Sequence, residues 1–419
     1  MKSIKYVFIS ILIFFLLIMK YWTINRNLPR AYILVNSDKD FTDYHINFKR
    51  EIRKDWDDPW ISPIKYYINP SVLKDKVKLA IEILQNNTCV TFSEQNETFD
   101  NTRGLIFQKA HSGCESFVGH VHGIRPQTIN LSLHCQKNEY LILHELGHAL
   151  GLVHEHSRIG RDKFIDIDYS QLGEEGKINF RIRNGPNYLN YSVDYDYASV
   201  MHYGPYDFSS FWMKLFGFPV IKSKLYWQYT YMMGQEEKVT FNDYKRINLC
   251  YCNWCNWVNN RTGERIDKNS TKCRNSGYPD FRNCSKCICP TGYTGHNCGQ
   301  IIESDDGCGN TTYNANKTNI PIILVGKINC YILVRASEKK KKVSLIVSYL
   351  NAPSYTNNFC TERNAFQIKY RRDKGATGLL LCGHQSIPIT IKSESRSILI
   401  MYKGIDGHSM MHFLFKETD

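Results

Sequence analysis

The stretch that leaves this chain the least freedom is His144-Glu145-Leu146-Gly147-His148-Ala149-Leu150-Gly151-Leu152-Val153-His154-Glu155. His144 and His148 stand four residues apart. On a helix they share one face and reach one metal ion. Gly151 allows positive φ and a sharp turn, which brings His154 round from beyond the helix as a third ligand. Three imidazoles suit Zn2+ and leave an open position for water. Glu145, beside the first ligand, is placed to take a proton from that water, whose pKa the metal lowers. Each fixed position beyond the bare H-E-x-x-H matches by chance in roughly one case in twenty. An amphipathic helix carrying three hydrogen-bonded histidines is the bland alternative, and the completeness of the string argues against it.

Further along, Ser199-Val200-Met201-His202-Tyr203 supplies a methionine to floor such a site and a phenol, Tyr203, to reach the metal or a developing oxyanion. With Glu155 after the third histidine, and with Arg158, Arg161 and Asp162 downstream, the chain resembles the astacin family of zinc endopeptidases, within the metzincins. The resemblance implies an α+β fold over residues 51–252: a metzincin catalytic domain with a twisted mixed sheet, a zinc-binding helix and a Met-turn. It implies one Zn2+ on His144, His148 and His154, catalysis by Glu145 and Tyr203, and structural roles for Met201, Glu155 and Gly151. Gly160 is a departure, since the family usually has Asp there; a local salt-bridge arrangement is loosened, and the metal is untouched.

The 419 residues suffice for two to four domains. A hydrophobic fraction of 42% fits folded cores. Net charge +13 disposes the surface toward acidic partners, but no nucleic-acid motif accompanies it. The run Lys339-Lys340-Lys341-Lys342 reads as a solvated loop or edge face. Tyr6 to Met19 is apolar and follows Lys2 and Lys5, as in a secretory signal, and is short for a membrane span. Residues 1–22 are therefore read as a signal peptide, or a signal anchor, and no stable span is expected. Residues 23–50 are polar and free of cysteine, and read as a pro-segment.

Within the catalytic domain, Ile64 to Ile68 reads as the first strand, Lys74 to Gln85 as a helix, and Asn87 to Phe92 as the lead into the next strand. Gly113 to Gly119 and Gln127 to Leu131 alternate as strands and resemble the family's segments bordering the cleft, where an edge strand can pair with an extended substrate. His120 and His122 fall on one face between them. With no third ligand they read as exposed or hydrogen-bonded turn histidines rather than a second metal site. Phe211 to Met233 is rich in Trp, Tyr and Phe, which fits a substrate-contacting lobe or a packed insertion equally well. Gly234-Gln235 and Thr240 to Asn248 resemble the closing helix of the family's catalytic domain.

Fifteen cysteines imply an oxidising compartment and a disulfide framework. For the catalytic domain the resemblance implies Cys114–Cys135 and a long bridge from Cys89 to Cys252 or Cys250. The cysteine left over is free or bridges to another chain. Cys255, Cys273, Cys284, Cys287, Cys289 and Cys298 resemble an EGF-like module over 253–299, whose expected pairs are Cys255–Cys284, Cys273–Cys287 and Cys289–Cys298. Cys308, Cys330, Cys360 and Cys382 form two pairs of equal separation, Cys308–Cys330 and Cys360–Cys382. With strand-like runs such as Ile322 to Val325 and Val343 to Val347, residues 305–416 resemble a CUB domain, an all-β sandwich. Sequons at Asn86, Asn96, Asn130, Asn190, Asn260, Asn269, Asn310 and Asn316 point to a glycoprotein; the one at Asn283 contains Cys284.

The sequence thus reads as a secreted, extracellular zinc endopeptidase. Its partners are protein or peptide substrates, extracellular matrix among them, with CUB-mediated protein contacts. The competing reading is an adhesive or receptor-binding protein with EGF-like and CUB contacts and a vestigial protease domain. The intact His144, Glu145, His148 and His154 favour the enzyme. In the resembled family, removal of the pro-segment frees an N-terminus that meets the glutamate after the third histidine, here Glu155. Lys49-Arg50 and Arg53-Lys54 are the candidate cleavage sites. The pro-segment string that caps zinc in that family is absent; Asp38, Asp40 and Asp43 are the candidate caps.

Overall fold

A computed structural model of the chain describes residues 31–33, 52–54, 58–185, 188–189, 191–266, 272–338 and 341–419. The signal segment, the candidate caps Asp38, Asp40 and Asp43, the Lys49-Arg50 site, Lys339 and Lys340, and the sequons at Asn190 and Asn269 lie outside the described residues. No helix among the described residues is long and apolar enough to cross a membrane.

The N-terminal lobe is built on a six-stranded sheet in the order β1-β6-β7-β5-β3-β4. Its strands are β1 (Ala31–Ile33), β3 (Ile64–Ile68), β4 (Phe92–Glu94), β5 (Leu105–Lys109), β6 (Cys114–Ser116) and β7 (Gln127–Leu131); a short β2 (Ile52–Arg53) lies outside it. β3, β4, β5 and β7 run parallel, and β6 is antiparallel to β7. Alternation along β3, β5 and β7 sends Ile64, Ile68, Leu105, Phe107, Ile129 and Leu131 inward. Helix α1 (Lys74–Asn87) packs here because Val77, Ala80, Ile81 and Leu84 recur at helical spacing and are all buried. Beside it lies α3 (Glu139–Ala149), which follows the short α2 (Leu133–Gln136). The Asn138 side chain caps α3 by accepting from Tyr140 N at 2.9 Å. Ala31–Ile33, inside the segment read as a pro-segment, add parallel to the free side of β6 and occupy that edge.

The lower lobe is mostly irregular. β8 (Ile165–Ile167) pairs with β10 (Ile221–Ser223), and between them lie α4 (Glu174–Asn179), β9 (Tyr188–Leu189) and α5 (Phe211–Leu215). The aromatic stretch divides. Tyr229, Met232 and Met233 are buried, while Trp212, Phe216, Phe218 and Trp227 are half exposed or more. α6 (Phe241–Tyr251) closes the lobe, opened by a capping box between Thr240 and Asp243.

Cys89 is bridged to Cys252 and Cys114 to Cys135; Cys250 remains a buried thiol. A small unit follows, with β11 (Tyr278–Asp280) paired to β12 (Asn283–Ile288) and β13 (Tyr293–Thr294) paired to β14 (Gln300–Ile301). It is stapled by Cys255–Cys284, Cys273–Cys287 and Cys289–Cys298. A unit this small buries little core, so the cross-links supply its stability.

The C-terminal residues form a β-sandwich. One sheet has the order β15-β17-β23-β19-β20, with β15 (Thr312–Ala315), β17 (Asn329–Ala336), β19 (Phe366–Lys369), β20 (Leu379–Leu381) and β23 (Ser397–Lys403). The other joins β16 (Ile320–Val325), β24 (Met410–Thr418), β18 (Lys342–Asn351) and β21 (His384–Gln385), with β22 (Ile389–Lys392) also on β18. Cys308–Cys330 and Cys360–Cys382 are its bridges. Lys342 starts β18, and Lys341 pairs with Asp419. The sandwich does not hang free. One continuous apolar core runs from Tyr197, Tyr229 and Met233 of the lower lobe into Phe366, Leu379 and Leu380.

Candidate metal centre

α3 carries His144, Glu145 and His148 on a fully buried stretch. The helix must stop soon after His148 if His154 is to return. Gly151 provides the stop at φ +99°, where a side chain is strained. Space forbids one as well, because a Cβ there would sit 2.0 Å from the Arg53 carbonyl oxygen. Gly147 serves the other side of the helix: a Cβ would meet Met201 Sδ at 3.0 Å. The methionine therefore lies directly under α3. Glu155 N donates to Met201 O at 2.9 Å, tying the segment after His154 to the Met-turn.

The three imidazoles converge. His154 Nε2 lies 3.2 Å from both His144 Nε2 and His148 Nε2. His144 Nδ1 donates to Val200 O at 2.7 Å and His148 Nδ1 to Leu152 O at 2.8 Å. These bonds hold the protons on Nδ1 and aim the Nε2 lone pairs inward. Burial depresses all three pKa values, His144 to about 4 despite its bond to Val200. Neutral imidazoles whose lone pairs face one another at this distance repel unless a cation lies among them. Nitrogen donors in this number suit zinc with an open coordination position, so the residues fit the metal. Among the described residues they are the single such cluster of His, Cys, Asp or Glu.

Glu145 is fully buried, and neither carboxylate oxygen makes a hydrogen bond of ordinary geometry to the protein. Burial, reinforced by the Glu115 carboxylate, raises its pKa well above the usual range, while Ser116 works the other way. Tyr203, also buried, has its ring centroid 4.2 Å from that of His154 and 4.1 Å from that of His156. Phe180 and Phe208 flank it. Its phenol is thus held beside the third ligand.

Beneath the metal ligands lies a buried ionic knot. Glu155 Oε1 accepts from Arg158 Nη1 at 2.5 Å and from Asp196 N at 2.8 Å; Glu155 Oε2 accepts from Arg246 Nη1 at 2.8 Å. Burial alone would lift this carboxyl, but the two guanidiniums overcome it and hold the pKa below the ordinary value. Arg246 Nη2 donates to Asp243 Oδ1 at 3.0 Å, and Asp243 accepts from Ser199 Oγ at 2.6 Å and Val200 N at 3.1 Å. Val200 O is the acceptor for His144, so the knot reaches a metal ligand in two steps. In this uncut chain the charged partners of Glu155 are the arginines Arg158 and Arg246. Sequence reasoning did not find Arg246, Asp243 or Asp196. The Thr240-x-x-Asp243 capping pattern was the available signal, and it marked a helix start rather than a link to the site.

Loss of an acidic side chain at Gly160 leaves Arg161 well served. Its Nη1 donates to His156 O and Phe180 O, each at 2.6 Å, and its Nη2 to Tyr169 at 2.7 Å. His120 is buried and hydrogen-bonded, with Nδ1 2.6 Å from Asp58 O, and His122 is exposed near the Asp58 carboxylate. No third ligand joins them among the described residues.

A helix supplying two histidines, a glycine turn supplying a third, a buried glutamate on the same helix and a methionine beneath it together form a site that fits one zinc ion with an open coordination position. Residues 49–252 match the model of the Astacin peptidase family. Zinc metalloproteinase nas-34 of Caenorhabditis elegans is 29% identical over 368 residues, covering 87% of this chain and 56% of the relative. Zinc metalloproteinase nas-37 of the same organism is 31% identical over 344 residues, with 81% of this chain and 40% of the relative covered. The chain therefore spans about half the length of these curated relatives. Among solved structures, the hatching-enzyme zinc-protease high choriolytic enzyme 1 of Oryzias latipes is 26% identical, covering 44% of this chain and 86% of that one at a TM-score of 0.38.

Proposed function

We propose that this protein is a secreted, zinc-dependent endopeptidase that hydrolyses internal peptide bonds of protein substrates. One observation carries the reading: three buried imidazoles converge at their Nε2 atoms, and the helix that carries two of them also carries the buried carboxylate of Glu145. Bound there, zinc supplies a Lewis acid and a water of lowered pKa. Glu145 accepts the proton of the attacking water. Its apolar surroundings favour the protonated carboxyl, so it holds that proton until the leaving amine takes it. Tyr203 donates its phenol to the oxyanion of the attacked carbonyl. His144 and His148 are kept in the right tautomer by Val200 O and Leu152 O.

The remaining assignments belong to the same reading. Residues 1–22 are a signal peptide and 23–50 a pro-segment. Pairing of Ala31–Ile33 along β6 supports latency, because it takes the edge an extended substrate would use. Cross-link density and the short paired strands support an EGF-like module over 253–299, and the two packed sheets support a CUB domain over 305–416. Seven disulfides in all fit an oxidising, extracellular setting. Purified protein should contain one zinc per chain and, once processed, cleave gelatin or casein in a chelator-sensitive manner. Processed protein that binds partners yet holds no zinc and cleaves nothing would overturn the proposal in favour of an adhesive role.

A further inference from the structure

The C-terminal sandwich grips three consecutive residues of the lower lobe just upstream of the Met-turn. Asp194 N donates to Asp373 Oδ2 at 2.9 Å. Tyr195 O accepts from Arg371 Nη1 at 2.5 Å. Asp196 Oδ2 accepts from both the backbone N and the Oγ1 of Thr377, each at 3.2 Å. Arg371, Asp373 and Thr377 all lie on the connection between β19 and β20. Asp373 also accepts from Asn242 Nδ2 at 3.3 Å, so the same loop reaches α6.

Two of the three gripped residues are in turn bonded toward the metal centre. Asp196 N donates to Glu155 Oε1 at 2.8 Å, and Asp196 Oδ1 accepts from Ala198 N at 3.1 Å, opening the turn. The Tyr195 hydroxyl lies 2.5 Å from His202 Nε2, inside the Met-turn segment. Arg371, which grips Tyr195, also pairs with the Asp194 carboxylate at 3.4 Å. Ring contacts fix the same approach: the Arg371 guanidinium lies over the Phe164 ring, and Phe164 stacks on Tyr195 with ring centroids 5.0 Å apart. Cys360 N, from the sandwich, donates to Tyr231 O at 2.9 Å, and the Tyr229 and Tyr370 hydroxyls meet at 3.1 Å. A tether that only held a recruiting module would not need a buried threonine on a buried aspartate just before the turn; Thr377 is 3% exposed and Asp196 0%.

We infer that the sandwich is a built-in part of the catalytic unit: its 371–377 loop sets the Met-turn, and with it Tyr203 and the acceptor of His144, through Asp196. Thr377, Arg371 and Asp196 are then positioning residues for the hydrolysis proposed above, on which this inference rests. A further consequence is that this loop face of the sandwich is spent on its own chain and is closed to substrates.

The test uses the full processed chain with Thr377→Val, which removes the hydroxyl donor at nearly constant volume, and Thr377→Ser, which keeps it. Steady-state kinetics on a peptide substrate should show kcat lowered in the valine variant by roughly two- to thirtyfold, the range for substitutions along a coupling network. KM and zinc content should be unchanged, and the serine variant should recover most of the rate. Backbone hydrogen exchange reads the same coupling without activity: amides of residues 198–203 should exchange faster in Thr377→Val and normally in Thr377→Ser. If Thr377→Val does not fold, Arg371→Lys is measured in the same two ways. A folded valine or lysine variant with wild-type kcat and wild-type exchange at 198–203 overturns the inference. A wild-type chain that hydrolyses nothing defeats the peptidase reading instead, and the exchange measurement then decides this one alone.

Discussion

Arg246→Met removes one of two guanidiniums from a knot sealed from water. Arg246 and Glu155 are both 0% exposed in their side chains, as is Asp243. With Arg158 the knot holds two cations and two anions. Methionine fills similar apolar volume but leaves one anion in excess. Glu155 keeps Arg158 and the Asp196 amide, and Asp243 keeps Ser199, Val200 N and Thr240. Stranding a buried charge costs about 3–5 kcal/mol, and these surviving donors place the cost near the lower end. For a domain of this size each kcal/mol moves the melting temperature by roughly 2–4 °C, so a fall of roughly 6–12 °C follows. Differential scanning calorimetry of the zinc-loaded chain measures it. Adding Glu155→Gln should recover part of the loss, because the excess charge disappears; the coupling is read from the double-mutant cycle. A single variant within about 1 kcal/mol of wild type, or strictly additive variants, would refute the claim that Arg246 neutralises this site.

Tyr203→Phe should fold and bind zinc normally while kcat falls by roughly a hundredfold, the scale for losing one oxyanion donor; an unchanged rate would remove Tyr203 from that role. Non-reducing peptide mapping should find Cys89 with Cys252 and Cys114 with Cys135, and should leave Cys250 unreactive to thiol reagents until the chain unfolds; alkylation of Cys250 in the folded protein would contradict its burial. Burial would raise the Glu362 carboxyl, but Lys238 Nζ at 2.6 Å and Lys369 outweigh it and hold its pKa at about 2. Because that value lies below the ordinary 4.5, the pair stabilises the fold above about pH 4.5 and the contribution is lost as pH falls toward 2. Unfolding midpoints measured across that window should slope less in Glu362→Gln than in wild type; identical slopes would count against the pair.

Local spacing carried the metal centre. His144, Glu145, His148, Gly151 and His154 lie in one short stretch, and helix geometry together with the turn at Gly151 brings them together. The helix over Lys74–Asn87 was legible from its periodic apolar residues, and that over Phe241–Tyr251 from the family resemblance of Thr240 to Asn248. What surrounds the site was not legible, because its partners are far apart in sequence. Arg246 lies 91 residues from Glu155, and Thr377 lies 181 from Asp196. Nothing in the pattern of either segment announces the other. Pairing of Ala31–Ile33 with β6 escaped notice because three residues are too few to show alternation. His120 read as an exposed or hydrogen-bonded histidine; which of the two was not legible, because its partner Asp58 and its ring neighbour Trp60, with centroid 4.5 Å away, lie about sixty residues earlier. The aromatic insertion divided between core and surface in a way composition could not specify.

Glu145→Ala bears most directly on the central claim, since it separates metal binding from proton transfer at one site. The ligands His144, His148 and His154 are untouched by the change, so the processed variant should still contain one zinc per chain. Its hydrolysis of casein or a peptide should fall to nearly nothing. Substantial turnover with zinc retained would contradict the role given to Glu145.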